Sequence, residues 1–499
     1  SVQFNFGPRL VVVDGVVIFA GGDRSMTAYE AATGKTLWTS PHERGGYQSP
    51  EDLLVIDGLV WSAPITSTKD SGVWTGRDVK TGETKRSFPP KVNPYWFHHR
   101  CHIAKATDRF LLASRTGIEF VDIENSSWDL NHWVRGGCLY GVMPCNGLVY
   151  APPHNCACYP EAKLFGLNAL ASAGSTREST SQKKEHDRLE KGPAYGKTDA
   201  PKKIDPSDWP TYRGDDARSG ISTEQLKLPL KNSWVHQPIH APRPAWRGPA
   251  KADLYNKQFK LKNRQLFDHA FHVIADGQSV YFGSSADDQI HCLELNSGEK
   301  RWSYFTEGPV RFAPTLYERR LFVGSDDGYA YCLSTEGKLV WKKMLSPREY
   351  RIVGNNRMIS AWPLRTGILV KDGVAYAGAG MFPKEGVHIV AFDPKNGTDR
   401  WRTIQTKWPF QGYLLLSENR VYVPTGRSNP IVYNRNNGKF FKDLSGSSDT
   451  FTLIKWNGKP LPNPRQNSRV LGVFGEGNGD SFATFTGNHM IVADGKSYL

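Results

Sequence analysis

The feature that most constrains this chain is a short unit that recurs. "DGVVIFAGGDRSMTAYEAATGKTLW" (14–38) holds a tight turn, an apolar strand, a Gly-rich bend, a second strand, then Thr-Gly-Lys and a closing Trp. The unit returns as "DGQSVYFGSSADDQIHCLELNSGEKRW" (276–302) and "ERRLFVGSDDGYAYCLSTEGKLVW" (318–341), and with an insertion as "DGVAYAGAGMFPKEGVHIVAFDPKNGTDRW" (372–401). Degraded copies span 57–88 and 418–441, and two weaker ones begin at Asp108 and Asn146. Starts at 14, 57, 108 and 146, then 276, 318, 372 and 418, are spaced as propeller blades are.

Each piece of the unit has a physical reason. Asp-Gly and Asn-Gly supply the positive φ of a tight hairpin. Gly34, Gly298, Gly337 and Gly397 fall at the second hairpin, where a Cβ would be strained. Trp38, Trp302, Trp341 and Trp401 share one register and are expected to pack between neighbouring blades. A single small sheet cannot bury both of its faces, but a row of them can. The fold expected is all-β: an eight-bladed β-propeller of four-stranded antiparallel blades, in one ring or as half of each of two. A long insertion separates blades four and five.

The expected organisation is blades over 1–170, a charged linker over 171–208, an ordered Arg/Pro/Trp-rich insertion over 209–270, and blades with ring closure over 271–499. The linker reading rests on "TSQKKEHDRLEKGPAYGKTDAPKK" (180–203), which is charged and poor in apolar residues. The insertion carries "WPTYRGDDARSGIS" (209–222), read as loop or strand draped over one face.

The A-x-x-x-x-x-G-x-x-x-W units together with "WPTYRGDDARSG" resemble the PQQ-binding-like β-propeller superfamily, the fold of quinoprotein alcohol dehydrogenases. More narrowly, "GYQSPEDLLVIDGLVWSA", "FHHRCHIAKATDRFLLASRTGIEFVD" and "NHWVRGGCLYGVMPCNGLVYAPPHNCACYPEAKLFGLNAL" resemble large bacterial PQQ-like repeat proteins. The resemblance covers most of the chain and implies a larger parent chain. It does not by itself give a function, since the superfamily includes an outer-membrane assembly lipoprotein that binds partners and catalyses nothing. It also implies what a quinone site would need: two adjacent cysteines and a Trp to stack on PQQ, with Ca²⁺ held by Glu, Asn and Asp. No adjacent cysteine pair occurs here, the nearest being Cys156 and Cys158, so PQQ is not favoured and an oxidoreductase is the third-ranked reading.

The seven cysteines and fourteen histidines are unevenly placed. Cys101, Cys138, Cys145, His154, Cys156 and Cys158 crowd into two consecutive units, and soft thiolates with imidazole suit Zn²⁺ or copper. Zn and Ca are the metals considered. Their spacing is not that of a zinc motif, so disulfides, a metal site and buried free thiols all stay open. Cys156 and Cys158 would face one side of an extended strand. Cys292 and Cys332 take the place of Ala28 and Ala391 in the repeat and are expected to be inert and buried.

A formal charge of +14 points to polyanionic partners, acidic polysaccharide first; nucleic acid ranks last because no recognition motif is present. His98, His99, Arg100, His132, Arg135, Tyr140 and His154 form the candidate catalytic set. Arg would neutralise a uronate carboxylate, and His or Tyr would remove the α-proton in a polysaccharide-lyase β-elimination. Arg351, Asn355, Arg357, Trp362, Arg365 and Arg427 lie outside the repeat frame and form the candidate ligand-binding set. The alternative for every one of these is a hydrogen bond to a neighbouring blade. A binding or assembly scaffold, with other envelope proteins as partners, is therefore the second reading. The chain opens at Ser1 with no apolar leader, which fits a processed start and a periplasmic or secreted bacterial protein. No apolar run is long enough to cross a membrane as a helix.

Overall fold

The computed structural model describes residues 9–42 (less 22), 52–64, 71–89, 102–113, 117–137 (less 132), 141–152, 164–172 (less 165), 188–197, 205–222 (less 206), 225–240, 272–354, 357–425 and 430–443, and the backbone of four strands beyond them. These fall into two compact units, one within 9–172 and the other within 188–498. Apart from short 3₁₀ turns such as Pro383–Glu385, the regular structure described is β-strand.

In the first unit, Arg9–Val13, Val16–Ala20, Ser25–Glu30 and Thr36–Pro41 form a four-stranded antiparallel meander. The same plan runs from Leu54–Ile56 to Thr84–Phe88 and from Lys105–Ala106 to Ser127–Asn131. A fourth sheet has three strands, Met143–Cys145, Leu148–Ala151 and Asn168–Ala171. In the second unit, sheets five to eight run from Ile274–Ala275 to Lys300–Phe305, from Thr315–Tyr317 to Leu339–Met344, from Leu369–Lys371 to Asp399–Gln405, and from Leu415–Leu416 to Phe440–Asp443. Each of the eight sheets matches one repeat. Among the described residues no ladder closes either unit into a ring.

Two places depart from the expected organisation. Leu189–Lys191, in the segment read as linker, pairs antiparallel with the last strand of sheet six and makes it five-stranded. The apolar Leu189 side chain explains this, because it packs against the core between sheets six and seven. A further hairpin, Ile491–Ala493 with Lys496–Tyr498, brackets another Asp-Gly and repeats the opening of a unit beyond the eight counted from sequence.

The cores lie between consecutive sheets. Val16, Ile18 and Met26 of sheet one meet Val60 and Val79 of sheet two. Tyr281 and Ile290 of sheet five meet Leu321 and Val323 of sheet six. Ala375 and Val390 of sheet seven meet Phe322 and Val340 of sheet six. The inner strands Ser279–Ser284, Tyr329–Ser334 and Val387–Phe392 are buried along their whole length, as strands covered on both faces must be.

The repeated Trp is the coupling element. Each indole N–H donates to a carbonyl in the last turn of the next sheet: Trp38 to Val79 (3.0 Å), Trp302 to Thr335 (2.9 Å), Trp341 to Pro394 (3.3 Å) and Trp401 to Arg435 (2.9 Å). The glycine of that turn is needed twice over. At Gly337, φ is +80°, and a Cβ would meet the Trp302 ring at 2.6 Å. Opposite each Trp, on strand three of its own sheet, sits a small residue: Ala28, Cys292, Cys332 or Ala391. Cys292 and Cys332 are buried as the repeat predicts.

The motif at 209–222 is built into the second unit. Trp209 bridges to Ala275, Leu316 N–H donates to the Pro210 carbonyl (2.7 Å), and Tyr212 stacks on Tyr413 at 3.6 Å. Arg218 is almost wholly buried, donating to Thr211 Oγ1 (2.7 Å) and to the carbonyls of Tyr212 (2.9 Å) and Leu414 (3.3 Å). Burial pushes its guanidinium down to about 10.

Candidate functional site

In a four-stranded meander, the turn between strands two and three lies at the same end as the connection to the next sheet. In the second unit that end gathers 284–288 and 325–328 with the connections 305–314 and 345–368. Both turns carry Asp-Asp: Asp287 with Asp288, and Asp326 with Asp327. Arginines from the connections reach into them.

Asp326 is fully buried and is held by two guanidinium groups. Arg365 donates through Nε to Oδ1 (2.6 Å) and through Nη2 to Oδ2 (2.9 Å), and Arg311 Nε donates to Oδ2 (2.7 Å). This fork geometry is the strong form of an ion pair. Arg357 donates to Asp288 (3.3 Å), to the Ser285 carbonyl (2.8 Å) and to the Ala286 carbonyl. Arg351 donates to the carbonyl and side chain of Glu307 (3.1 and 3.0 Å), which also takes Lys342 at 2.9 Å. Trp362, itself buried, donates its indole N–H to the Glu385 carbonyl (3.0 Å).

Asp327 is the titratable group of this face. Its carboxylate accepts from Tyr331 Oη (2.6 Å) and from the amides of Tyr329 (2.8 Å) and Glu307 (3.0 Å). Burial outweighs these bonds and pushes the carboxyl up to about 6. Its burial keeps it from any ligand, so what it tunes is stability. Asp288 is also raised, again by burial first.

The structure thus brings Arg351, Arg357, Trp362 and Arg365 to one end of the second unit and gives each a protein partner. Asn355 and Arg427 lie outside the described residues. Of the candidate catalytic set only Arg135 is described, and it is buried. His98, His99, Arg100, His132, Tyr140 and His154 lie outside. Of the candidate metal ligands, Cys145 is described, as an exposed free thiol on Met143–Cys145; Cys101, Cys138, His154, Cys156 and Cys158 lie outside. No group of three metal-ligating side chains occurs among the described residues. Sequence reasoning missed Arg311, Asp326, Asp327 and Glu307. The Asp-Asp pair at one register of two consecutive units was the available signal.

The other end of the same sheets is more open. Clefts of about 490 and 510 Å³ lie there. The first is lined by the 209–222 motif with Leu369, Lys371 and Asp372, and the second by Tyr281, Arg301, Trp302, Glu318 and Arg319; Asp208 faces both.

A family profile described as outer membrane protein assembly factor BamB matches residues 243–373, well under half of the chain. No curated protein sequence matches. Among solved structures, the quinohemoprotein alcohol dehydrogenase ADHIIG of Pseudomonas putida HK5 is 14% identical, covering 87% of this chain and 66% of its own, with a TM-score of 0.26. The quinohemoprotein alcohol dehydrogenase of Comamonas testosteroni is 12% identical (89% and 67% covered, TM-score 0.26). BamB from Moraxella catarrhalis is 14% identical (77% and 81% covered, TM-score 0.22). Superpositions this loose transfer no residue roles, so the chain's own repeat and sheets carry the classification. By its repeated Trp–Gly units, its row of antiparallel four-stranded sheets and the profile match, the chain resembles the PQQ-like β-propeller repeat proteins.

Proposed function

We propose that this protein is a non-catalytic binding and assembly scaffold of the PQQ-like repeat class, working in the bacterial envelope or outside the cell. One observation carries the reading. The arginines that would receive an acidic substrate in the second unit, Arg351, Arg357 and Arg365, are engaged by Glu307, Asp288 and Asp326. Releasing Arg365 would leave the buried Asp326 charge short of a partner, which is costly. The profile match to an outer membrane assembly factor adds support, and no described helix is long and apolar enough to cross a membrane.

The second reading, β-elimination on an acidic polysaccharide, draws on the +14 charge and on the His, Arg and Tyr set around Arg135. A single pair of assays separates the two. Purified protein is incubated with polygalacturonate, alginate and heparin, and ultraviolet absorbance of unsaturated uronates is followed. Dye-linked alcohol oxidation is followed in parallel with added PQQ and Ca²⁺. The scaffold reading expects neither signal above a heat-treated control; turnover in either assay overturns it.

A further inference from the structure

Five of the eight sheets join their first and second strands through a two-residue turn with both residues at positive φ. In four of them the second residue is glycine: Asp14-Gly15, Asp57-Gly58, Asn146-Gly147 and Asp372-Gly373. Sheet six has Glu318-Arg319 instead, at φ +46° and +58°. A side chain at the second position is strained where glycine is not. Nothing in the turn offsets that strain. The ion pair of Arg319 with Glu336 is 3.7 Å long, both side chains are about half exposed, and such a pair contributes little. Strain confined to one copy of a repeat points to what its side chain serves.

Arg319 lines the cleft of about 510 Å³ between sheets five and six, a volume in the range that takes small molecules. Arg301, on the last strand of sheet five, lines it too, and the half-buried Trp302 supplies an apolar wall. Asp276 is already satisfied, accepting from the amides of Gln278 (3.0 Å) and Ser279 (2.8 Å) and from Tyr281 Oη (3.2 Å). Arg301 Nη1 donates to Ser279 Oγ at 2.8 Å. Among the described residues, the guanidinium of Arg319 and the exposed side-chain amide of Gln278 make no hydrogen bond. Open donors thus stand beside the carboxylates of Glu318 and Glu336.

We propose that this cleft binds a neutral saccharide and that Arg319 is the residue that selects it. The charges on the walls exclude the alternatives. Four carboxylates, Asp208, Asp276, Glu318 and Glu336, outnumber the two guanidinium groups and repel an anion, so the +14 charge of the whole chain does not extend to this site. The open guanidinium of Arg319 repels a cation. A sugar hydroxyl suits both kinds of wall group, accepting from guanidinium or amide while donating to a carboxylate. A peptide is poorly served, since Leu316 is the one aliphatic side chain on the described walls. The inference concerns the end of the unit opposite the Asp-Arg pairs and does not depend on the scaffold reading.

The test titrates the whole protein with cellohexaose, maltohexaose and mannohexaose by isothermal calorimetry, with hexagalacturonate and hexalysine as charged controls. At least one neutral sugar should bind saturably, and both controls should bind at least tenfold more weakly. Arg319→Gly gives the sharper readout, because it removes the strain together with the guanidinium. It should raise the melting temperature by about 1–3 °C and weaken sugar binding at least tenfold. The proposal is overturned if no neutral sugar binds, if a charged control binds as well or better, or if Arg319→Gly binds like the parent. A lower melting temperature for Arg319→Gly also overturns it, since Arg319 would then serve the turn itself. Cleavage of a bound sugar would end the scaffold reading and leave this one standing. A protein silent in the lyase and oxidase assays that also binds no sugar fails this inference alone.

Discussion

Trp302 and Gly337 cannot be changed independently: the indole fills the space where any Cβ at 337 would go, 2.6 Å away, and the glycine holds a φ of +80°. Gly337→Ala therefore combines a left-handed backbone cost with overpacking, about 2–4 kcal/mol together. Gly373 is the control, since its φ is +68° but nothing lies within 4 Å of a Cβ. Gly373→Ala should cost about 1–2 kcal/mol. Urea denaturation of both variants checks the difference.

Arg218 should be among the most costly residues to remove. Its buried guanidinium ties Thr211 and Tyr212 of the 209–222 motif to Leu414 ahead of sheet eight. Arg218→Ala would strand those acceptors in a dry site and is expected to cost about 3–5 kcal/mol. Arg218→Lys keeps a charge but not the planar fork, and should recover only part of that loss. Thermal melting of the two variants should preserve this order.

Two buried groups oppose each other in acid. Asp327 is raised from 3.8 to about 6 by burial, so its contribution is full below about pH 4 and is lost as pH rises through 6. His388 is lowered from 6.5 to about 3 by burial and then by Arg402, so its contribution is present above pH 6.5 and is lost as pH falls. Each is worth roughly 3–5 kcal/mol over its window at 1.36 kcal/mol per unit. Between pH 6 and 4 their slopes cancel in part. Asp327→Asn keeps a hydrogen-bond acceptor and removes one slope, so the variant should lose more stability than the parent between pH 7 and 4.5. Equal slopes in denaturant titrations at those pH values would refute the assignment.

The three described cysteines should separate cleanly by reactivity. Cys145 is exposed, whereas burial pushes Cys292 up to about 11 and Cys332 higher still. Iodoacetamide on the native protein, followed by peptide mass mapping, should label Cys145 and leave the other two until denaturant is added.

Much of this architecture could be read directly from the chain. Local punctuation, Asp-Gly at one turn, Gly at the next and Trp four residues later, is enough to specify a meander and its inter-sheet contact. The ion pairs could not be read the same way. Asp326 and Arg365 are 39 positions apart, and their meeting depends on how one sheet leans on the next. The same holds for Leu189, whose charged surroundings concealed a strand. For the candidate catalytic and metal sets, the histidines and all cysteines but Cys145 stay at the level of sequence.

The Trp contact also has a direction, which bears on how the molecule is made. Each indole belongs to the last strand of one sheet, and its acceptor carbonyl and glycine belong to the sheet that follows. A chain emerging from the ribosome therefore always exposes the Trp first and its seat some thirty to fifty residues later. In these four cases the completed sheet waits with a bare aromatic for its successor, so assembly there can proceed in order of synthesis, one sheet at a time. A pause in translation within the second unit would leave a single uncovered indole at the growing end, while the sheets already made stay latched.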